Sequence, residues 1–170
     1  MKKIAAIFLL SLIPSLAGGA GAADPDLDPA PVLTMTVIPA QSVANAGKHI
    51  QVMVRLNIAS PFHINSNRPA DPALIATAFT LPDLPPGIQL LRVDYPPPEK
   101  LEIKGEAEPW LVFNDQSILK FSLQIDSAAK PGQYQLRGQL DYQACNEVVC
   151  QMPDRQYADF IIHIAKNTHE

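Results

Sequence analysis

From Ile50 to Ile58 the chain alternates. Ile50, Val52, Val54, Leu56 and Ile58 are separated by Gln51, Met53, Arg55 and Asn57. A period of two is that of a β-strand with one face buried. The spacing returns at Leu119, Phe121, Leu123 and Ile125, set between Lys120, Ser122 and Gln124. It is clearest where Tyr134, Leu136, Gly138, Leu140 and Tyr142 alternate with Gln135, Arg137, Gln139 and Asp141. Phe160, Ile162 and Ile164 give an inward face to a last strand over 157–164. Shorter apolar or β-branched runs at Val32–Ile38, Leu74–Leu81, Ile88–Tyr95 and Trp110–Phe113 complete the set, with turns predicted at 82–87 and at Pro131-Gly132. No stretch carries a convincing amphipathic-helix period, and the 17 prolines suit loops and sheet edges. The pattern predicts an all-β fold, an immunoglobulin-like antiparallel β-sandwich of about seven to nine strands. An antiparallel barrel is the alternative.

The N-terminus changes the picture. Lys2 and Lys3 precede an apolar run from Ile4 to Leu16 and the small residues Ala17 to Ala23. This reads as a cleavable secretory signal over 1–22, with Ala20-Gly21-Ala22 as the cleavage match. The run is shorter than the roughly 20 residues a membrane span needs, so no stable insertion is expected after cleavage. Residues 23–31 read as an acidic, proline-rich linker, 32–166 as one domain and 167–170 as a tail. Loss of Lys2 and Lys3 leaves 11 (13 − 2) basic groups against 17 acidic ones, a net charge near −6. That balance argues against nucleic acid and anionic membranes as partners. Export permits disulfide chemistry.

Candidate chemistry gathers in one stretch, Tyr142-Gln143-Ala144-Cys145-Asn146-Glu147-Val148-Val149-Cys150-Gln151-Met152-Pro153. It holds both cysteines of the chain, with four residues between them. Such a span can reverse as a hairpin and bring two sulfurs within bonding distance. As a staple so small a loop is weak: the loop-closure model gives only about 2 kcal/mol, less than a crosslink between distant strands. The spacing suits a dithiol meant to be reached, and a structural disulfide is the competing reading. No Gly-x-Ser-x-Gly, His-Glu-x-x-His or phosphate-binding glycine loop is present, and no cofactor is expected.

The tip, Tyr-Gln-Ala-Cys-Asn-Glu-Val-Val-Cys followed closely by Pro, resembles the redox loop of the N-terminal periplasmic domain of the DsbD family of protein-disulfide reductases. Phe62-His63-Ile64-Asn65-Ser66-Asn67-Arg68-Pro69 resembles the family's aromatic-His segment. Leu84 to Tyr95, continuing into Pro-Pro-Pro-Glu, resembles its Pro-Gly turn and Tyr-Pro segment. The likeness covers roughly residues 32 to 165. It implies an immunoglobulin-like fold and a reversible Cys145–Cys150 pair. It also implies electron exchange with thioredoxin-fold periplasmic partners, among them disulfide isomerases and cytochrome c maturation thioredoxins. By that analogy Cys150 forms the mixed disulfide and Cys145 resolves it. Two departures stand out. The family's full-length members continue into membrane and thioredoxin-like domains, so with the chain ending at residue 170 the electron donor is expected to be another protein. The family's best-known member shields its cysteines with an aromatic loop residue, whereas Pro97 to Gly105 offers only Leu101 and Ile103 as apolar candidates.

Thiol–disulfide exchange needs a thiolate and an accessible sulfur. At the tip Glu147 disfavours a thiolate, and Arg155 is the nearest cation in sequence. The expected dithiol is a sluggish general nucleophile that depends on its partner's activated cysteine. His63, Tyr142, Glu147 and Tyr95 are the candidate modulators of the pair. Two thiols with His63 would suit a soft metal such as Cu(I), but no second Cys-x-x-Cys or paired histidine supports a metal site. The rival functions are therefore a binding module with an inert disulfide and a copper-handling protein. Trp110 is expected in the core or at its rim, and His163 on the surface.

Overall fold

The computed structural model describes residues 30–105 and 107–165. The expected signal over 1–22, the tail over 167–170 and most of the linker over 23–31 lie outside these residues. The described residues form twelve strands: β1 (Leu33–Pro39), β2 (Val43–Asn45), β3 (His49–Ile58), β4 (His63–Asn65), β5 (Ala78–Thr80), β6 (Ile88–Asp94), β7 (Glu99–Leu101), β8 (Trp110–Asn114), β9 (Gln116–Ile125), β10 (Gly132–Tyr142), β11 (Ala144–Cys145) and β12 (Asp154–Ala165). Seven of them have five or more residues, as the alternating runs predict, and the other five are short pieces.

Three four-stranded sheets result, in the orders β1-β3-β9-β6, β2-β12-β10-β5 and β11-β4-β8-β7. The first two form the sandwich. Inward residues Val52, Val54, Leu56, Leu119, Phe121 and Leu123 of the first sheet are buried, as are Leu136, Leu140, Phe160 and Ile162 of the second. Phe121 is the hub between them: its ring stacks on Phe79 of β5 at 5.1 Å and meets Phe160 of β12 edge-on at 5.9 Å. Such pairs add specific geometry to a large buried area. Gly138 on β10 is a packing requirement, because a Cβ there would lie 3.0 Å from two Phe79 ring atoms and 3.3 Å from Val37.

The third sheet continues the first. β3 runs into β4, β8 runs into β9, and β6 leads to β7 through Pro96, Pro97 and Pro98. The pairing order is kept across the break: β9 lies between β3 and β6, and β8 lies between β4 and β7. Between β8 and β9 the ladder is interrupted at Asp115, which has a positive φ of 43° and whose carbonyl accepts from Ile58 N–H at 2.7 Å. β11 supplies the fourth strand of this extension.

Three details differ from the periodic reading. Leu74–Leu81 is a strand only at β5, because Asn65 and Ser66 hold the segment before it as a loop. Asn65 Nδ2 donates to the Ile75 carbonyl at 3.0 Å, and Thr77 N–H donates to the Ser66 carbonyl at 3.1 Å. The sheet is not wholly antiparallel: β2 pairs parallel to β12, after the chain crosses from β1 to the edge of the second sheet. β6 carries a register shift between Leu90 and Arg92, which turns Leu91 outward, half exposed. The turn at 82–87 is as expected; Ile88 N–H donates to the Pro85 carbonyl and Gly87 has a φ of 86°.

Overpacking at Gly138 provides a test of this core. Gly138→Ala should lower the free energy of unfolding by about 1–3 kcal/mol in urea denaturation, because the Phe79 ring must leave its stack on Phe121 to admit a methyl group. An unchanged midpoint would show that β5 yields freely.

Candidate functional site

The cysteine tip begins where β10 ends. Cross-strand pairs Arg137–Asp159 and Asp141–Arg155 align β10 with β12 along eleven paired positions, from Gly132↔Ile164 to Tyr142↔Asp154. After Tyr142 the chain leaves the second sheet. Ala144 then pairs with Ile64 and Cys145 with His63, on β4. Cys145 and Cys150 face each other as an isolated antiparallel bridge and are joined as a disulfide, with Cα atoms 3.9 Å apart. Gln151 N–H donates to the Ala144 carbonyl at 2.8 Å, and Asn146 N–H to the Val149 carbonyl at 3.0 Å. The side chain of Asn146 closes the turn from inside, Oδ1 accepting from both Val148 N–H and Val149 N–H at 2.9 Å. An asparagine at the head of the turn is suited to this, since its side chain imitates a backbone carbonyl.

The two sulfurs are not equivalent. Cys145 has no solvent exposure, held between β4 and the core, whereas Cys150 is partly exposed. Only half of the pair can be reached, which narrows the expectation of an accessible dithiol. Beside Cys150 the hairpin carries three uncovered apolar side chains: Val148 is 91% exposed, Val149 56% and Met152 84%.

His63 and Glu147 meet at this end of the molecule. They line one cavity of about 210 Å³ together with Glu99, Lys100, Leu101 and Asn114. His63 is itself buried, its ring edge-on to Trp110 at 6.2 Å, and its Nε2 has no hydrogen-bond partner. Burial lowers its pKa, and no neighbouring charge offsets the effect. Glu147 is exposed on the turn. Tyr142 is buried at the end of β10, where its hydroxyl donates to Asp154 at 3.1 Å; burial, and then that carboxylate, push its pKa up to about 12. Tyr95 braces the two sheets. Its ring stacks on Phe113 at 6.3 Å, and its hydroxyl accepts from Phe79 N–H at 2.8 Å.

Arg155 is engaged by Asp141, 2.5 Å away, and so leaves the tip without a free cation close in sequence. Leu101 belongs to the edge strand β7 and Ile103 follows it, both half-buried. Trp110 is half-buried and His163 exposed, as expected. Among the described residues no group of three or more His, Cys, Asp or Glu side chains is arranged to hold a metal ion. Sequence periodicity gave no sign of β4, nor of the roles of Asn146 and Trp110. Asparagine at the head of a four-residue turn was the one available signal.

Residues 34–161 match the family model described as "Thiol:disulfide interchange protein DsbD, N-terminal". The chain belongs to this family. Among solved structures it is similar to the N-terminal periplasmic domain of ScsB from Proteus mirabilis, with a TM-score of 0.50 and 12% identity over 84% of this chain and 48% of that one. It thus spans about half the length of that protein, and the likeness shows the shared fold. A second match is the seventh ScaB type I cohesin of Pseudobacteroides cellulosolvens, with a TM-score of 0.43 and 16% identity over 80% of this chain and 97% of the cohesin. That score is below the level at which a shared fold follows. No curated protein sequence matches the chain.

The buried histidine has a thermodynamic consequence. With its folded pKa lowered below 6.5, His63 binds a proton less readily in the folded protein than in the unfolded chain. Its contribution to stability is therefore complete above 6.5 and is lost as pH falls through the folded pKa. Urea midpoints of the wild type should decline on acidification below that value, and His63→Phe should remove this part of the decline. Identical pH profiles for the two proteins would contradict the assignment.

Proposed function

We propose that this domain is a periplasmic thiol–disulfide exchange module that relays electrons through a reversible Cys145–Cys150 disulfide to and from thioredoxin-fold proteins. Family membership supports the reaction class. The leader read from the sequence supports the compartment. The observation that carries the assignment of roles is the unequal burial of the two sulfurs, one enclosed and one partly open beside an apolar rim.

In the reducing direction the Cys150 thiolate attacks a sulfur of the partner's disulfide. One partner sulfur leaves as a thiolate and a mixed disulfide forms at Cys150. Cys145 then attacks Cys150 Sγ, the bond to the partner breaks, and the partner departs with both its sulfurs reduced. The domain is left with the Cys145–Cys150 disulfide and has given up two electrons. In the reverse direction a donor thiolate attacks Cys150 and Cys145 is the leaving group. Either way the partner touches Cys150. Val148, Val149 and Met152 are placed to be covered when it does, and burying exposed apolar area is the usual source of such contact energy. With Arg155, the nearest cation in sequence, engaged by Asp141, rate enhancement is expected to come from the partner's activated cysteine, which makes the domain selective.

The test is covalent trapping. Cys145→Ser should accumulate a mixed disulfide between Cys150 and a thioredoxin-fold protein, visible as a reducible adduct by mass spectrometry, and Cys150→Ala should give none. A Cys150→Ala protein that still passes electrons to such an acceptor at the wild-type rate would remove the proposal. A disulfide inert to every thioredoxin-fold protein offered would leave a binding module.

A further inference from the structure

Resolution of a mixed disulfide at Cys150 requires a nucleophilic Cys145, and Cys145 is fully buried. Charge on a buried sulfur is disfavoured because it is taken out of water. A thiol in that position becomes a thiolate most readily as its proton is passed to a base close by. The chain provides one titratable base in register with it. His63 is the cross-strand partner of Cys145 on β4. Directly opposed residues of an antiparallel pair project on the same face, with Cβ atoms about 4.5–5.5 Å apart. His63 is 5% exposed, and its Nε2 has no partner among the described residues. A buried imidazole nitrogen left unpaired is costly and therefore informative.

From this register, the shared burial and the unpartnered nitrogen, we propose that His63 is the proton acceptor for Cys145 during resolution, and its proton donor in the reverse reaction. The inference rests on the exchange reading above. In the forward step the Cys145 proton passes to His63 Nε2, with the imidazole entering neutral and protonated on Nδ1. The sulfur's electron pair forms the bond to Cys150 Sγ, and the Cys150–partner bond breaks with its pair leaving on the partner sulfur. Cys145 and Cys150 end oxidised and the partner reduced. The imidazolium then returns its proton to solvent or to the departing thiolate.

The surroundings suit this cycle. Asn114 is the cross-strand neighbour of His63 on β8, and Trp110 packs against its ring. Glu99 and Lys100 of β7, Asp115 after β8 and Glu147 of the tip share its cavity. Burial lowers its pKa and so favours the neutral form, the one able to accept a proton.

The experiment uses the reduced protein with the aromatic disulfide 5,5′-dithiobis(2-nitrobenzoate), which releases one coloured thiolate when Cys150 attacks and a second when Cys145 resolves. The two phases are followed by stopped flow from acid to neutral pH, and the titration of His63 is read independently by NMR. The second phase should fall on acidification with an inflection at the NMR midpoint of His63, and the first should lack that inflection. In His63→Gln the inflection should vanish and the second phase slow by roughly tenfold or more, the first being little changed. A wild-type second phase without the inflection, or a variant that resolves at the wild-type rate, would overturn the role of His63. The wild-type profile decides the matter even if the variant does not fold. Failure of both phases would instead point to an unreactive disulfide, and so against the exchange reading itself.

Discussion

The site depends on one switch of partners. β10 is held to β12 along its whole length, then gives up that sheet after Tyr142, and the next residues must find hydrogen-bond partners elsewhere. Buried backbone left unpaired would cost more than the fold can tolerate. β4 supplies the partners, and it can do so because the first sheet continues beyond the sandwich as β4, β8 and β7. The cysteine hairpin is consequently not a free loop between two strands. One of its legs is built into a sheet and the other is not, and the difference between a buried Cys145 and a partly open Cys150 follows from that.

Under the proposed exchange, this asymmetry makes a symmetric bond directional. A disulfide can be attacked at either sulfur, and the one that is attacked becomes joined to the partner while the other leaves. In the proposed exchange, enclosing Cys145 leaves Cys150 as the sulfur open to a partner, by access alone. Asn146 holds the turn in shape through two backbone N–H groups, so the exposed apolar residues around Cys150 are presented on an ordered tip.

Much of this was legible in the sequence. The long strands each bury one face and wet the other, so their composition records the alternation directly, as β3, β9 and β10 do. The cysteine spacing announced the hairpin. β4 is different: His63, Ile64 and Asn65 are all buried, so both faces are enclosed and no alternation is left to read. β11 has two residues, too few for any period. The inequality of the sulfurs depends on the pairing of Cys145 with a residue far upstream in the chain, which is long-range information that local pattern does not carry. For the same reason the sequence offers His63 as a candidate modulator without showing that it stands directly opposite Cys145. Leu74–Leu81 differs in the opposite sense: it has apolar residues enough for a strand, but the side-chain bond from Asn65 to the Ile75 carbonyl helps fix part of it as loop.

If the Cys145–Cys150 bond is a working redox couple, its equilibrium reduction potential shows it most directly. Thiol trapping of the full domain across a series of redox buffers gives the midpoint. A value of about −180 to −270 mV, among couples competent for exchange, is the expected result. A value below about −300 mV would mark a structural bridge and contradict the account.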